Sequence, residues 1–161
     1  MRLTIFAVGR MKSGPDADLV SRYADRLSKT GKPLGFDFEG LTEMQESRAQ
    51  TASQRKAEES EKCAALAREA STALILLDER GKSLTSRQFA DKLADFRDRG
   101  TARIVFALGG PDGHDPQLRE RADLVISFGN QTWPHQLARI MLAEQLYRAM
   151  TILSGHPYHR D

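Results

Sequence analysis

Short apolar runs and longer stretches of helical spacing alternate five times along the chain, and that alternation predicts the fold. Residues 3–8, L-T-I-F-A-V, form a β-branched and aromatic run stopped by Gly9, the mark of a buried strand. Ser13-Gly14-Pro15-Asp16 opens a helix: Pro15 suits the first helical position, and Asp16 and Asp18 favour the positive end of the dipole. Leu19, Tyr23 and Leu27 give it an apolar face as far as Gly31. Residues 33–41 place Leu34, Phe36 and Phe38 at alternate positions, the period of a half-buried second strand. Residues 45–71 mix both signs of charge at helical spacing and read as a solvated helix. Their interspersed glutamates, Glu58, Glu59 and Glu61 among them, argue against an RNA-binding arm.

Residues 73–77, A-L-I-L-L, are apolar at every position, as a strand covered on both faces requires. Residues 78–82, D-E-R-G-K, then read as a polar turn, and Thr85-Ser86-Arg87-Gln88 is a capping-box pattern for a helix carrying Phe89, Leu93 and Phe96. A second strand, 102–108, apolar but for Arg103, leads into the turn A-L-G-G-P-D-G-H-D over 107–115, and Asp115-Pro116 caps a short helix to about Ala122. Residues 124–126 are the last strand, 127–133 a loop, and Pro134 starts a final helix with Leu137, Ile140, Met141, Tyr147 and Met150 at spacings of three and four. Five strand-helix units without repeats or linkers predict one α/β domain over 1–161, with a mostly parallel sheet and helices on both faces. In such sheets ligands lie beyond the carboxyl ends of the strands, where the loops 78–82, 109–114 and 127–133 converge.

Three glycines and a proline in 109–113 let the backbone approach a ligand closely, although the same residues also serve as plain turn punctuation. The turn follows the fourth strand, and neither GxxxxGK(S/T) nor a GxGxxG after the first strand is present, so mononucleotide and dinucleotide loops are not indicated. A GxSxG elbow is absent, and the single cysteine, Cys63, lies in an A-rich helical stretch that suits a buried structural thiol. One cysteine excludes an internal disulfide and points to a cytoplasmic setting, and no apolar run reaches the ~18 residues of a membrane span. The net charge of +2 permits a local nucleic-acid footprint without demanding one.

The histidines are His114, His135, His156 and His159. The last two, spaced i, i+3, lack the cysteine or carboxylate company of a metal site, so no metal is expected. The tail 154–161 instead packs H-P-Y-H-R into five positions: a proton acceptor in His156 or His159, a stacking ring in Tyr158 and a cation in Arg160. That set suits single-stranded RNA, against the alternative of a frayed end.

Taken together, V-G-R near the start, L-L-D-E-R-G-K, A-L-G-G-P-D-G, the T-W-P-H-Q-L-A-R-I-M-L-A-E-Q-L-Y-R-A helix and the terminal H-P-Y-H-R resemble the bacterial large-subunit (23S) ribosomal RNA pseudouridine N3-methyltransferases. These are small members of the SPOUT class, and the likeness spans essentially the whole chain. It implies a C-terminal trefoil knot, which simple topology rules exclude, and a homodimer in which the partner's tail completes each active site. It also implies S-adenosylmethionine among Leu77, Gly109 and the loop Phe128, Gly129, Asn130, Gln131, Thr132 and Trp133, with Gly110 beside it. The loop departs from the small and aliphatic residues usual in the family, so main-chain contacts carry over there better than side-chain roles. The implied reaction is in-line attack of pseudouridine N3 on the methyl group, without a metal, on assembled ribosomes. His156 or His159 would act as base, Tyr158 hold the nucleobase, and Arg160 stabilise the developing imidate or anchor phosphate. Arg139 either supports the tail or dimer contact or makes a helix-surface ion pair. The competing expectations are a SPOUT enzyme for another RNA base and a non-catalytic knotted protein that binds RNA or ribosomes.

Overall fold

The computed structural model describes residues 1–160. Its ten principal elements alternate as strand and helix: β1 Arg2–Val8, α1 Pro15–Gly31, β2 Asp37–Met44, α2 Ala52–Leu66, β3 Thr72–Ser83, α3 Ser86–Asp98, β4 Arg103–Leu108, α4 Pro116–Arg121, β5 Leu124–Ser127 and α5 His135–Ser154. The five strands form one sheet in the order β2-β1-β4-β3-β5, and every pairing is parallel. Side chains alternate across it. Leu3, Ile5 and Ala7 pack with Ile104 and Phe106 beneath α1, α3 and α5, while Phe6, Val8, Val105 and Ala107 meet Cys63 of α2 and Leu118 of α4. The central strands are covered on both faces, which is why their middles are apolar; Arg103 at the start of β4 is held by Thr4, Glu39 and Glu69.

Three expected boundaries move, each for a local reason. Pro33 sits in a single 3-10 turn, Lys32–Leu34, closed by Gly35 at φ +83°. Leu34 and Phe36 therefore precede β2, which begins at Asp37. Residues 45–51 are not helical, because Thr51 caps α2: its side chain accepts from the Gln54 amide at 3.2 Å while Gln54 Oε1 accepts from the Thr51 amide. Nor is α2 solvated all round, since Glu59, Ser60 and Cys63 are buried along one face.

The third correction shapes the fold. Residues 78–83 are not a free turn but the second half of β3. Ile126 of β5 pairs first with Leu77 and then with Lys82, so a single long strand brackets β5. The crossing is tight at Gly81, where a Cβ would lie 2.5 Å from the Ile126 carbonyl carbon and 2.8 Å from its nitrogen. After β5 the chain returns as α5, and this strand order, with β3 bracketing β5, fits a C-terminal trefoil knot. Leu142, Leu146 and Met150 on α5 are then fully buried against α1 and α3.

Candidate functional site

Because β4, β3 and β5 are neighbours, the loops at their carboxyl ends meet in one place. They enclose a cavity of about 250 Å3 lined by the end of β3, the turn after β4, the loop after β5 and the first turn of α5. Leu77, Gly109, Phe128 and Gly129 line it, as do Gln131, Thr132 and Trp133. Asn130 is exposed and is not among the lining residues.

The glycine turn is fixed from beneath. The Gly113 amide donates to the Gly110 carbonyl at 2.9 Å, and Gly113 takes φ +79°. A Cβ on Gly109 would stand 3.1 Å from the Gly113 carbonyl carbon, and one on Gly110 would stand 2.7 Å from Glu59 Oε2. A side chain at either position would crowd the turn, at Gly109 against its own backbone and at Gly110 against Glu59. Arg55 of α2 clamps Asp112 through two bonds, Nε to Oδ2 at 2.6 Å and Nη2 to Oδ1 at 3.1 Å, which hold the Asp112 carboxyl below its usual range. His114 is buried and donates from Nε2 to the Leu77 carbonyl at 3.0 Å, joining the turn to the end of β3. Burial lowers its pKa, the Leu77 bond opposing, so the imidazole is held towards its neutral form.

The β3 wall is fixed by charge. Burial alone would raise the Asp78 pKa, but hydrogen bonds from Arg119 and from the Arg80 backbone and side chain hold it at about 2. Opposite, the 127–133 loop is hooked on itself: Ser127 Oγ donates to the Gly129 carbonyl at 2.7 Å, and the Trp133 indole donates to the Phe128 carbonyl at 3.3 Å. Thr132 reaches Glu79 at 3.4 Å across the cavity mouth. Leu108, Ile126, Phe128 and Trp133 give an apolar slot. The sequence places Asp78 and His114 in the converging loops without giving either a task, and Arg119, on α4, carries no local signal.

The tail lies elsewhere. Gly155, at φ +67°, ends α5, and the His156 amide turns back to the Thr151 carbonyl at 2.9 Å. Tyr158 then stacks on Tyr147 at 4.7 Å, lies under the Arg148 guanidinium at 4.7 Å and donates its hydroxyl to Glu144 at 3.1 Å. Arg148 itself donates to Glu144 from Nε at 2.8 Å, and His159 Nδ1 faces Arg148 at 3.5 Å. His156 Nδ1 accepts the Tyr158 amide, which places a neutral ring's proton on Nε2. His156 and Arg160 are exposed, and none of the four tail residues lines the cavity. Glu144 and Arg148, four residues apart on α5, form the clasp; their i, i+4 spacing was the signal that could have found them.

Arg139 neither contacts the tail nor lies on the surface. It is 2% exposed, pairs with Glu43, and donates to the Gly9 carbonyl at 2.9 Å. Burial lowers its pKa and Glu43 opposes the shift. Among the described residues no cluster of three or more His, Cys, Asp or Glu side chains could hold a metal, and no helix is long and apolar enough to cross a membrane.

This arrangement can be set beside known proteins. A protein titled as a ribosomal RNA large subunit methyltransferase H from Brucella anthropi is 61% identical over 161 residues, covering all of both chains. Its namesake from Chelativorans is 58% identical over all of this chain and 92% of its own. The structure of a probable methylase family protein from Haemophilus influenzae superposes with a TM-score of 0.54 at 12% identity, over 99% of this chain and 70% of that one, a likeness of fold alone. The family described as "Predicted SPOUT methyltransferase" matches residues 1–159. With the knotted crossing at Gly81 and three loops closing a cavity at the carboxyl edge, the chain belongs to the SPOUT methyltransferase family.

Proposed function

We propose that the protein transfers a methyl group from S-adenosylmethionine to N3 of a pseudouridine in large-subunit ribosomal RNA, acting as a homodimer on assembled ribosomes. The names of its 57–61% identical relatives support the ribosomal RNA substrate, and the H-P-Y-H-R tail supports the particular base. One observation carries the composite site: none of the four tail residues lines the cavity of its own chain.

The residues fit the cofactor. The slot between Leu108, Ile126, Phe128 and Trp133 suits a purine ring, and the main chain of 109–113 and 127–133 offers polar edges on either side. When bound, the cofactor supplies a methyl group already activated by its sulfonium. The protein's work is alignment and removal of the imide proton. His156 or His159 of one protomer's tail takes that proton, Tyr158 holds the nucleobase, and Arg160 neutralises the developing charge or holds a phosphate. Glu144 and Arg148 position Tyr158 and His159.

Incubating unmodified ribosomes with radiolabelled S-adenosylmethionine and the protein, followed by nucleoside analysis of the large-subunit RNA, tests the reading. Label in N3-methylpseudouridine is the expected result. Label on another nucleoside would reassign the base, and ribosome binding without label would make the protein a binder.

A further inference from the structure

The carboxyl edge of the sheet continues past the donor cavity. On its β1 and β2 side a second, open cavity of about 400 Å3 is lined by Gly9, Arg10, Gln45, Glu46, Ser47 and Arg48. Strand β1 adjoins β4 through Ala7 and Leu108, so Arg10, two residues past the end of β1, follows the strand that neighbours the one carrying the glycine turn. Gly110 itself packs towards Val8, whose Cγ1 would be 3.1 Å from an added Cβ.

Both arginines project from backbone that is anchored on purpose-built contacts. Arg139, buried, donates to the Gly9 carbonyl, while Glu43, its ion-pair partner, accepts the Met11 amide at 2.9 Å. Arg10 is the residue between those two anchors, and it is exposed. A buried ion pair carries a large desolvation penalty, and here it fixes a three-residue corner whose outward side chain is a guanidinium. Across the cavity, the Ser47 amide donates to buried Glu59 at 2.9 Å and its hydroxyl to Glu58. Arg48 follows directly and is exposed. Among the described residues neither Arg10 nor Arg48 makes an ion pair. Glu46 lines the same cavity, leaving it a net charge of +1 from these three side chains.

We propose that Arg10 and Arg48 grip backbone phosphates of the RNA strand where it runs from the donor cavity across the ends of β1 and β2. The inference rests on the RNA-methylation reading. Two guanidinium forks on stiff backbone suit phosphate oxygens, since little freedom is lost on contact. Glu46, lining the same cavity, weakens the grip by repelling phosphate.

The test measures co-sedimentation of the protein with unmodified ribosomes over a range of salt, alongside S-adenosylmethionine affinity by calorimetry. R10A/R48A should lower the slope of log affinity against log salt by about 1.4, two single-strand phosphates' worth, and weaken binding roughly tenfold or more at 0.1 M salt. R10K/R48K should recover most of the slope, E46Q should tighten binding, and cofactor affinity should stay within twofold in all. An unchanged slope in R10A/R48A, or wild-type protein that does not sediment with ribosomes, overturns the proposal. Sedimentation needs no methyl transfer, so ribosome binding with the expected slope change but no methylated nucleoside removes the catalytic reading and leaves this one standing.

Discussion

The donor cavity and the C-terminal tail solve opposite problems. Each wall of the cavity is tied down by a bond to backbone or by an ion pair: Arg55 on Asp112, His114 on the Leu77 carbonyl, Arg119 on Asp78. The tail has one backbone tie at its root, His156 to Thr151, and beyond it is seated by side chains alone, Tyr147, Arg148 and Glu144 receiving Tyr158. A site of the first kind is formed before anything binds. A segment of the second kind can leave its seat for the cost of a few contacts, and so can serve a surface that its own subunit does not present.

The sharpest way to break this contrast is to remove the tail. Deleting residues 155–161 should lower methylation by about 10²- to 10⁴-fold, the range of lost acid–base catalysis, while calorimetry finds cofactor affinity nearly unchanged. Near-normal activity would take the tail out of the mechanism. Co-expressing this deletion with a cavity-blocked Gly109→Leu chain then asks where the tail works. If it acts across a dimer, mixed dimers hold one intact site and recover about a quarter of wild-type activity; if it acts within its own chain, the mixture stays inactive.

Gly109→Leu alone addresses the rigid half. The turn has no room for a side chain, with the Gly113 carbonyl carbon 3.1 Å and His114 Cε1 3.3 Å from the added Cβ. Overpacking of this kind costs about 1–3 kcal/mol, and the displaced turn should weaken cofactor binding tenfold or more. Unchanged affinity by calorimetry would make the turn structural only.

The two halves were also unequally legible. The glycine turn, the apolar strands and the caps at Thr85 and Asp115 are local features, and local patterns carry them from sequence to structure. The H-P-Y-H-R motif was readable as chemistry but not as a place, since its seat depends on Glu144, Tyr147 and Arg148 coming round one face of α5. Residues 78–83 looked like a turn because their strand character comes from Ile126, more than 40 positions away, and not from their own polar side chains. Glu59 read as a solvated helix position. It is 4% exposed because Ser47 supplies an amide and Gly110 leaves space, and both are distant in sequence. Arg139 was misplaced for the same reason, its partners Glu43 and Gly9 lying at the far end of the chain.

Acid titration sharpens the claim that the cavity wall is pre-set by charge. Asp78 has its folded pKa depressed from 3.8 to about 2, so its contribution to stability is fully present above pH 4 and is lost as pH falls through 2. That contribution is about 2 kcal/mol. Asp78→Asn should therefore lower the urea midpoint at pH 7 and flatten the fall in stability between pH 4 and 2. A variant as stable as wild type at pH 7 would show that Arg119 holds the wall without its carboxylate.

The smallest effect separates ring from hydroxyl in the tail's own seat. Tyr158→Phe keeps the ring against Tyr147 and the face presented to Arg148, and loses the hydroxyl's bonding to Glu144 and Tyr23. Burial, with hydrogen bonding to Tyr23 and the nearby Glu144 carboxylate, raises the Tyr158 pKa, so the hydroxyl is a donor at neutral pH and its charge-assisted bond to Glu144 is removed. The change should cost about 1.5 kcal/mol, read as a roughly tenfold fall in kcat/KM with little change in the thermal midpoint. A loss as deep as that of the tail deletion would mean that the hydroxyl touches the nucleobase directly; the resting bond to Glu144 would then store a catalytic group on α5 until a partner's cavity takes it.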